Sequence, residues 1–450
     1  MNMGKLEVDF KFHNVGQGLF YTGRLKYERT VFNFVYDCGS EKTSLVKDAI
    51  DREFQPDEEI DLLIVSHLHR DHTSGIPHLF KRASVDTVIL PYLSPLERLI
   101  VALTTPRASR EYYHFLADPV TYFLEHNVRR VVLVGGKEAD RRENWMPPFE
   151  RPPDFPLEGG FELIDELPPD EELSFYIKSV EPELSRSIGK GNVEVKNHSG
   201  ILKVSLNTIP IWVFRLFTYK LTPLWVLVAF KQCVEQKLGA VDSGTLKDAI
   251  RTMYYKENKN KYKLLVDCYI DEILRNSHLI PMCYHKKPKY WSRKSLVKYL
   301  NDLSLIILHM PAFRCSSSKI TCVSPCCGLC CHYNYCVWWD LDSQELSQFL
   351  TGDINLNCRF NEISQHFGLG SRINHTITTL VPHHGSRYNW TNVLCNTITS
   401  NFWIVSAGIH NRYGHPSSQV LGDICVNCHY PHVVWVNEAT YFRLMGILEF

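Results

Sequence analysis

The sequence predicts an α/β layered domain with metal ligands at the ends of its strands, and three observations support this prediction. Short apolar runs rich in β-branched residues alternate with segments of helical spacing between residues 5 and 135. Several of these runs end in turns that carry His or Asp. Hydrophobic residues make up 44% of the chain and charged residues 22%, a composition typical of folded globular proteins.

The predicted elements are spread along the whole chain. Helices are predicted over 42–52, within 109–125 and from about residue 223. Residues 138–183 are acidic and proline-rich, which favours irregular surface structure or a linker. Strands are predicted over 6–10, 19–22, 30–36, 60–65, 87–90, 130–134, 211–217, 303–309, 379–382 and 402–406.

The loop after the strand at 60–65 is the strongest candidate site, because residues 66–72 read Ser-His-Leu-His-Arg-Asp-His. Imidazole and carboxylate ligands together suit zinc, manganese or iron. If the loop begins extended, its alternation sends His67 and His69 to one side. Asp71 and His72 follow where the loop can turn them toward a second ion. The alternative is a surface loop that is merely rich in histidine.

Three further strand ends carry residues of the same type. Asp353 follows a Thr-Gly turn, His383 and His384 follow the strand at 379–382, and His415 follows a later turn. Ligands that are far apart in sequence must converge to build a two-metal centre, so the recurrence predicts one. Two ions about 3.5–4 Å apart activate water and stabilise an in-line displacement at phosphorus.

These motifs carry a resemblance to a known family. His-x-His-x-Asp-His, Thr-Gly-Asp and His-His-Gly-Ser, in this order, resemble the metallo-β-lactamase superfamily. More narrowly, 15–18, 37–39, 381–386 and 411–416 resemble the soluble C-terminal domain of ComEC-type competence (DNA-uptake) proteins. The resemblance implies a four-layer αββα sandwich with a large insertion, a dinuclear metal site and nuclease activity on DNA.

The resemblance also implies ligand roles by position. His67 and His69 would bind the first metal ion, and Asp71 and His72 the second. Asp353 would bridge the two ions. Asp71 is also predicted to be catalytic. The cofactors would be two divalent ions, zinc or manganese, and their binding requires neutral imidazoles.

Other roles follow from the same resemblance. One or both of His383 and His384 would complete the metal ligands. Asp37 would brace the histidine loop from behind. His415 is predicted to be catalytic, in contact with substrate or a metal ion.

Two departures from the family pattern stand out. The competence proteins usually carry an acid on each side of the Val-Gly-Gln-Gly turn, where this chain has Asn14 and Leu19. Many superfamily members also place a separate histidine ligand between the first motif and the bridging aspartate. The candidates for that ligand are His114, His126, His198, His278, His285 and His309.

The resemblance divides the chain into a sandwich over 1–137 and 300–450 and an insertion over 138–299. The insertion is acidic and proline-rich at first, then basic and aromatic, and is a candidate surface for a protein partner. Its basic part favours contact with nucleic acid phosphates and bases, or alternatively forms a solvated helical face. The candidate substrate-binding residues are Lys286, Lys287, Lys289, Arg293 and Lys294.

Cysteine usage raises a separate hypothesis. Seven of the fifteen cysteines lie in a Cys-rich loop over 315–336. Cys326, Cys327, Cys330 and Cys331 are candidates for a structural zinc site, with a redox-sensitive loop as the alternative. The N-terminal stretch shows no apolar signal core, so we expect a cytoplasmic protein with reduced thiols. The apolar region 209–230 is interrupted by charges and proline, so we expect no membrane partner.

The leading hypothesis for function is a metal-dependent phosphodiesterase or nuclease that acts on DNA, in defence against foreign DNA. The first alternative is a hydrolase of a small phosphodiester or other small ester, which the formal net charge of zero favours. The second is a non-catalytic, metal-stabilised sensor or binding module.

Overall fold

The computed structural model describes residues 4–105, 108–136, 159–189, 191–219, 224–239, 241–255, 265, 267, 304–312, 317–323, 346–428 and 432–449. Within these residues two β-sheets pack face to face, and helices cover their outer faces. The predicted four-layer α/β class is therefore confirmed.

Among the described residues, the first sheet has nine strands in the order β12-β17-β1-β2-β3-β4-β5-β6-β8. Its strands from β3 to β8 run parallel, and the others pair antiparallel. The strands are β1 (Lys5–Phe12), β2 (Phe20–Tyr27), β3 (Thr30–Cys38), β4 (Glu58–Ile64), β5 (Ala83–Pro91), β6 (Arg130–Gly135), β8 (Val193–Asn197), β12 (Ser317–Val323) and β17 (Phe442–Glu449).

In the part of the chain that the structure describes, the second sheet has eight strands in the order β16-β15-β14-β13-β11-β10-β9-β7. Its strands from β13 to β16 run parallel, so their carboxyl ends lie at one edge. The strands are β7 (Phe161–Asp165), β9 (Ile201–Leu206), β10 (Ile209–Phe217), β11 (Ile306–Pro311), β13 (Gln348–Leu350), β14 (His375–Leu380), β15 (Thr399–Ser406) and β16 (His432–Val436).

The helices lie mostly between parallel strands. The helix predicted within 109–125 is two helices, because Asp118 ends the first and caps the second, whose first residue is Pro119. The helices are α1 (Thr43–Glu53), α2 (Arg70–Thr73), α3 (Ile76–Arg82), α4 (Pro95–Thr104), α5 (Arg110–Ala117), α6 (Pro119–Glu125), α7 (Glu171–Val180), α8 (Pro182–Ser185), α9 (Leu224–Leu238), α10 (Ser243–Thr252), α11 (Leu356–Phe367), α12 (Val393–Thr397) and α13 (Ser418–Asn427).

Both faces of the parallel part of the first sheet are buried. On β4, Leu62 and Ile64 join the core between the sheets, whereas Leu63 packs with the helices outside. Because alternate residues enter two different cores, the strand is a nearly continuous apolar run. Burial of each such side chain stabilises the fold by about 1.5–3 kcal/mol, and this holds the end of β4 rigidly.

Part of the predicted insertion belongs to the sandwich. Strands β7 to β10 lie within 138–299, yet β8 pairs in the first sheet and the others in the second. The prediction of irregular structure over 138–183 is wrong for β7, α7 and α8. Strand β7 lies at the edge of its sheet and is only partly buried, so it lacks a clear apolar alternation. The strands between residues 161 and 217 are therefore part of the sandwich rather than of an insertion.

Other predicted features lie outside the described residues. These include most of the Cys-rich loop with its four candidate zinc ligands, and Lys286, Lys287, Lys289, Arg293 and Lys294.

A disulfide joins Cys395 to Cys428, so the expectation of reduced thiols fails for this pair. Among the helices of the described residues, none combines the length and apolar character that crossing a membrane requires.

Candidate metal centre

The histidine loop begins where β4 ends. The backbone N–H of Leu305, which directly precedes β11 of the second sheet, donates to the carbonyl of Ser66 at 2.7 Å and fixes the start of the loop. His69 is the N-cap residue of the short helix α2, and the N–H of His72 donates to its carbonyl at 3.0 Å. The chain is therefore extended through His67 and turns just before Asp71.

Asp37 lies behind the loop, at the end of β3, and is fully buried. It accepts hydrogen bonds from the N–H and hydroxyl of Ser66 and from Nδ1 of His72, the last at 2.7 Å. Ser66 Oγ in turn lies 3.0 Å from Nδ1 of His67. Because an ionised carboxylate only accepts, both imidazoles donate from Nδ1, and this turns their Nε2 atoms toward the site.

One set of donors lies around one oxygen of Asp353. Ligand atoms of Asp71, His72, Asp353 and His384 all lie within 4.8 Å of one another. His72 Nε2 is 3.2 Å from Asp353 Oδ1, and His384 Nε2 is 3.3 Å from Asp71 Oδ2. His384 Nδ1 donates to the carbonyl of Ser406 at 2.6 Å, which turns its Nε2 toward the same site.

The other oxygen of Asp353 faces a second set. Asp353 Oδ2 lies 3.7 Å from Nε2 of His67 and 3.7 Å from Nε2 of His383. The ring of His69 lies 4.9 Å from that of His67. Asp353 is thus positioned between two donor groups, one containing His67, His69 and His383 and the other containing Asp71, His72 and His384.

The adjacent histidines face different donor groups because of their backbone. His383 and His384 both have left-handed conformations, with φ of 48° and 57°. Their rings lie 6.0 Å apart at 79°. Sequence reasoning left the order of this pair open. The structure places Nε2 of His383 beside Asp353 Oδ2 and Nε2 of His384 beside Asp71 Oδ2. This order depends on left-handed geometry at non-glycine residues, which is not visible in the sequence.

The chemistry of the donors fits divalent metal ions. Nε2 of His67 and of His69 is buried and has no hydrogen-bond partner among the described residues. Buried polar atoms without partners are rare, and coordination to a metal would satisfy both. A mixed set of imidazole and carboxylate donors suits zinc, manganese or iron.

The electrostatics agree with this fit. Burial lowers the pKa of His67 well below its usual value and that of His69 to about 4, so both are neutral at pH 7. Burial opposes ionisation of Asp353, but His383, His72 and His384 outweigh it and hold the pKa of this carboxyl well below its usual range. Metal binding requires these same protonation states.

His72 and His384 differ from the other two histidines. Burial lowers the pKa of each, but Asp353 and a second carboxylate, Asp37 or Asp71, raise it above its usual value. Protons on these imidazoles balance the buried negative charge. A bound cation would supply the same balance and displace them.

His415 lies beside the donors rather than among them. Its ring is 5.6 Å from that of His383 and 6.5 Å from that of His384. Its Nδ1 is buried and has no hydrogen-bond partner within the described chain. Burial and the two neighbouring histidines lower the pKa of His415 to about 3, so it is neutral.

Four of the six candidates for the intermediate ligand lie elsewhere. His114 and His126 are exposed on the helices outside the first sheet. His198 is buried against the carbonyl of Gly135. His309 lies between the sheets, where it accepts from Trp212 at 3.1 Å. The other two, His278 and His285, lie outside the described residues.

The turn over 15–18 packs against the histidine loop. A Cβ on Gly18 would lie 2.5 Å from the carbonyl oxygen of Gly39 and 2.7 Å from that of Asp71, so only glycine fits. Leu19 is buried in the core, and its N–H donates to the carbonyl of Asp71 at 3.1 Å. Asn14 instead bonds the carbonyl of Glu438.

Comparison with known proteins agrees with this fold and site. Residues 29–165, from β3 to the end of β7, match the family model of the metallo-β-lactamase superfamily. The two-sheet architecture is consistent with the sandwich fold of that superfamily, and the match points to a metal-dependent hydrolase. It includes the histidine loop but not Asp353, His383 or His384. No curated protein matches the chain.

Proposed function

We propose that the protein is a metal-dependent phosphodiesterase that cleaves nucleic acid, with DNA as the expected substrate. The observation that carries the proposal is the position of Asp353, whose two oxygens face two donor groups. One divalent ion, zinc or manganese, would be held on each side of this carboxylate. Such ions lower the pKa of a bound water and offset charge that develops on phosphoryl oxygens.

The protein's own residues supply orientation and a hydrogen bond. Asp37 fixes His72 directly and His67 through Ser66, with Nε2 of both toward the centre, and the carbonyl of Ser406 does the same for His384. His415 is neutral and partly exposed at the edge of the donors. As a neutral imidazole it would donate a hydrogen bond to a phosphoryl oxygen of a bound substrate.

Two observations favour DNA over other phosphodiesters. The motifs at 381–386 and 411–416 resemble those of competence proteins that act on DNA, and both lie at the site. The basic and aromatic composition of 254–294 also favours a polyanionic substrate. A role in defence against foreign DNA extends the proposal, and genes of housekeeping metabolism beside this one would count against it.

The test combines metal analysis with cleavage. Purified protein with Mn²⁺ or Zn²⁺ should cleave labelled DNA, and Asp71→Ala should reduce the rate by at least about 100-fold, since even residues that only orient ligands contribute 10–100-fold. His78→Ala is the matched control, because His78 bonds Asp51 on the surface outside the site. Absence of cleavage of single- or double-stranded DNA or RNA at full metal occupancy would refute the proposal.

A small phosphodiester is the second candidate substrate, and the formal net charge of zero favours it. Salt separates the two candidates. Cleavage of nucleic acid should weaken steeply as salt rises, because bound cations are released from the substrate. Turnover of bis(p-nitrophenyl) phosphate should change little. If that small ester is hydrolysed and no nucleic acid is cleaved at low salt, the second candidate holds.

A further inference from the structure

Two Arg–Tyr pairs lie on the loops that carry the histidines of the second sheet. The first pair is Arg387–Tyr388 and the second is Arg412–Tyr413. In each pair the guanidinium lies over the neighbouring ring, with Cζ 4.8 Å and 5.1 Å from the ring centroids. In each, Nη2 also donates to the tyrosine hydroxyl, at 2.8 Å and 2.9 Å.

The first pair is at the tip of a loop that is tied to metal-site residues at both ends. Ser386 N–H donates to the carbonyl of His383 at 2.9 Å. Asn389 Nδ2 donates to the carbonyl of Asp353 at 3.0 Å. Tyr388 is nevertheless 41% exposed, and Arg387 is exposed beside it. The pair is therefore fixed close to the donors but open to solvent.

The second pair is connected to the site through stacked rings. The Tyr413 ring lies 5.8 Å from the ring of His415 at an interplanar angle of 28°, and His415 in turn contacts both site histidines. Tyr413 is 38% exposed. Its hydroxyl donates to Glu41, and Arg412, whose side chain is 72% exposed, lies 3.6 Å from the same carboxylate.

The two loops pack closely against each other at Gly385. Ser417 N–H donates to the carbonyl of Gly385 at 2.9 Å. A Cβ on Gly385 would lie 2.7 Å from Cβ of Pro416, and its φ is +79°. The two Arg–Tyr pairs therefore belong to one rigid unit with His383, His384 and His415.

We propose that the two Arg–Tyr pairs hold an unpaired nucleic acid strand at the metal centre, so that the substrate is single-stranded. The proposal rests on the proposed function and deepens it. Arginine planes and tyrosine rings stack on bases, but only when the bases are not already stacked in a duplex. The tyrosine keeps the guanidinium in one orientation, which lowers the entropic cost of binding, and the guanidinium charge attracts phosphates. A small phosphodiester has no use for two such platforms.

Binding tests this inference independently of cleavage. The probe is a labelled 12-nucleotide single strand of mixed sequence with phosphorothioate linkages, compared by fluorescence anisotropy with a duplex of equal length. The single strand should bind more tightly than the duplex. Tyr388→Leu and Tyr413→Leu should each raise the Kd for the single strand by about 10-fold or more. Tyr→Phe at either position keeps the ring and should retain most of the affinity.

Further variants separate charge from stacking. Arg387→Gln and Arg412→Gln should each weaken binding and reduce the slope of log K against log salt by about 0.7. Phe175→Leu and Arg29→Gln are matched controls, since Phe175 is 76% exposed on α7 and Arg29 is exposed in the β2–β3 turn. Both should bind like wild type.

Three results would overturn the inference: no preference of wild type for the single strand, Leu variants that bind like wild type, or Phe variants as weak as Leu variants. Unchanged melting temperatures would exclude misfolding as the cause of any loss. The proposed function fails by a different result, namely no cleavage at full metal occupancy. Even then, the binding comparison decides whether the two Arg–Tyr pairs hold a single strand.

Discussion

The two halves of the metal centre are oriented by different devices. The half on the first sheet is contiguous in sequence, and the Asp37 side chain orients its histidines. The half on the second sheet is scattered, and backbone contacts orient it. His383 N–H donates to the carbonyl of Gly352 at 3.0 Å, and the carbonyl of Ser406 fixes His384. The half that a side chain orients is therefore visible as a sequence motif, whereas the half that backbone contacts orient is not.

Asp353→Asn should have the largest effect, because Asp353 is the point where the two halves meet. An amide is neutral and would present a nitrogen to one donor group. Loss of several kcal/mol of charge stabilisation corresponds to a rate reduction on the order of 10³-fold. Metal content by mass spectrometry and cleavage rate are the measurements. Asp51→Asn, on an exposed carboxylate, is the control. If Asp353→Asn kept full metal content and activity, the role of Asp353 as a ligand shared by the two donor groups would be refuted.

His383→Gln and His384→Gln should each remove one metal ion, but from different sides. Each substitution should lower the metal content from two ions to one per chain, because the other donor group stays intact. Asp71→Ala should itself remove the ion of the donor group that it shares with His384. Adding His384→Gln to Asp71→Ala should therefore remove no further ion, whereas adding His383→Gln should remove the second ion. Equal behaviour of the two histidines in this combination would contradict their division between the donor groups.

Asp37→Asn tests the side-chain device of the first half. Asparagine has the same shape but only one accepting oxygen, so it cannot accept all the hydrogen bonds from Ser66 and His72. His72, and His67 through Ser66, would then lose their fixed orientation. Metal affinity should fall about 10–100-fold, as is usual when partners of ligands are replaced. Competition with a chelator measures this affinity. Asp61→Asn, on a carboxylate of β4 outside the site, should leave it unchanged.

Much of the fold could be predicted from apolar runs, because buried parallel strands such as β4 and β6 are short and continuous. Strand β7 could not, since an edge strand with mostly half-buried residues leaves no alternating pattern. The break in the helix before Pro119 does leave a signal in the sequence, because proline begins a helix far more readily than it continues one.

The site shows the same division. The loop at 66–72 was predicted from its spacing, whereas the role of His383 depends on a left-handed backbone that the letters do not encode. The Arg–Tyr pairs did leave a signal, because the dipeptide occurs after both the His383–His384 motif and Asn411.

A buried hydrogen-bond network around His309 links the two sheets that carry the halves of the metal centre. Trp212 of the second sheet donates to Nδ1 of His309 at 3.1 Å, so Nε2–H donates to the hydroxyl of Tyr21 on the first sheet at 3.0 Å. Burial lowers the pKa of His309 to about 3. A charged imidazole would leave Trp212 without an acceptor and place an unpaired cation between the sheets.

Acid should therefore weaken the junction of the two halves. Between pH 6.5 and about 3 the unfolded chain binds a proton at His309 and the folded chain does not, so stability falls as pH falls through this window. At pH 5 this group alone costs about 2 kcal/mol relative to neutral pH. His309→Gln can keep both hydrogen bonds without titrating. The difference in urea-unfolding free energy between wild type and His309→Gln should change by this amount from pH 7 to pH 5. A difference that does not change with pH would show that His309 is not held neutral between the sheets.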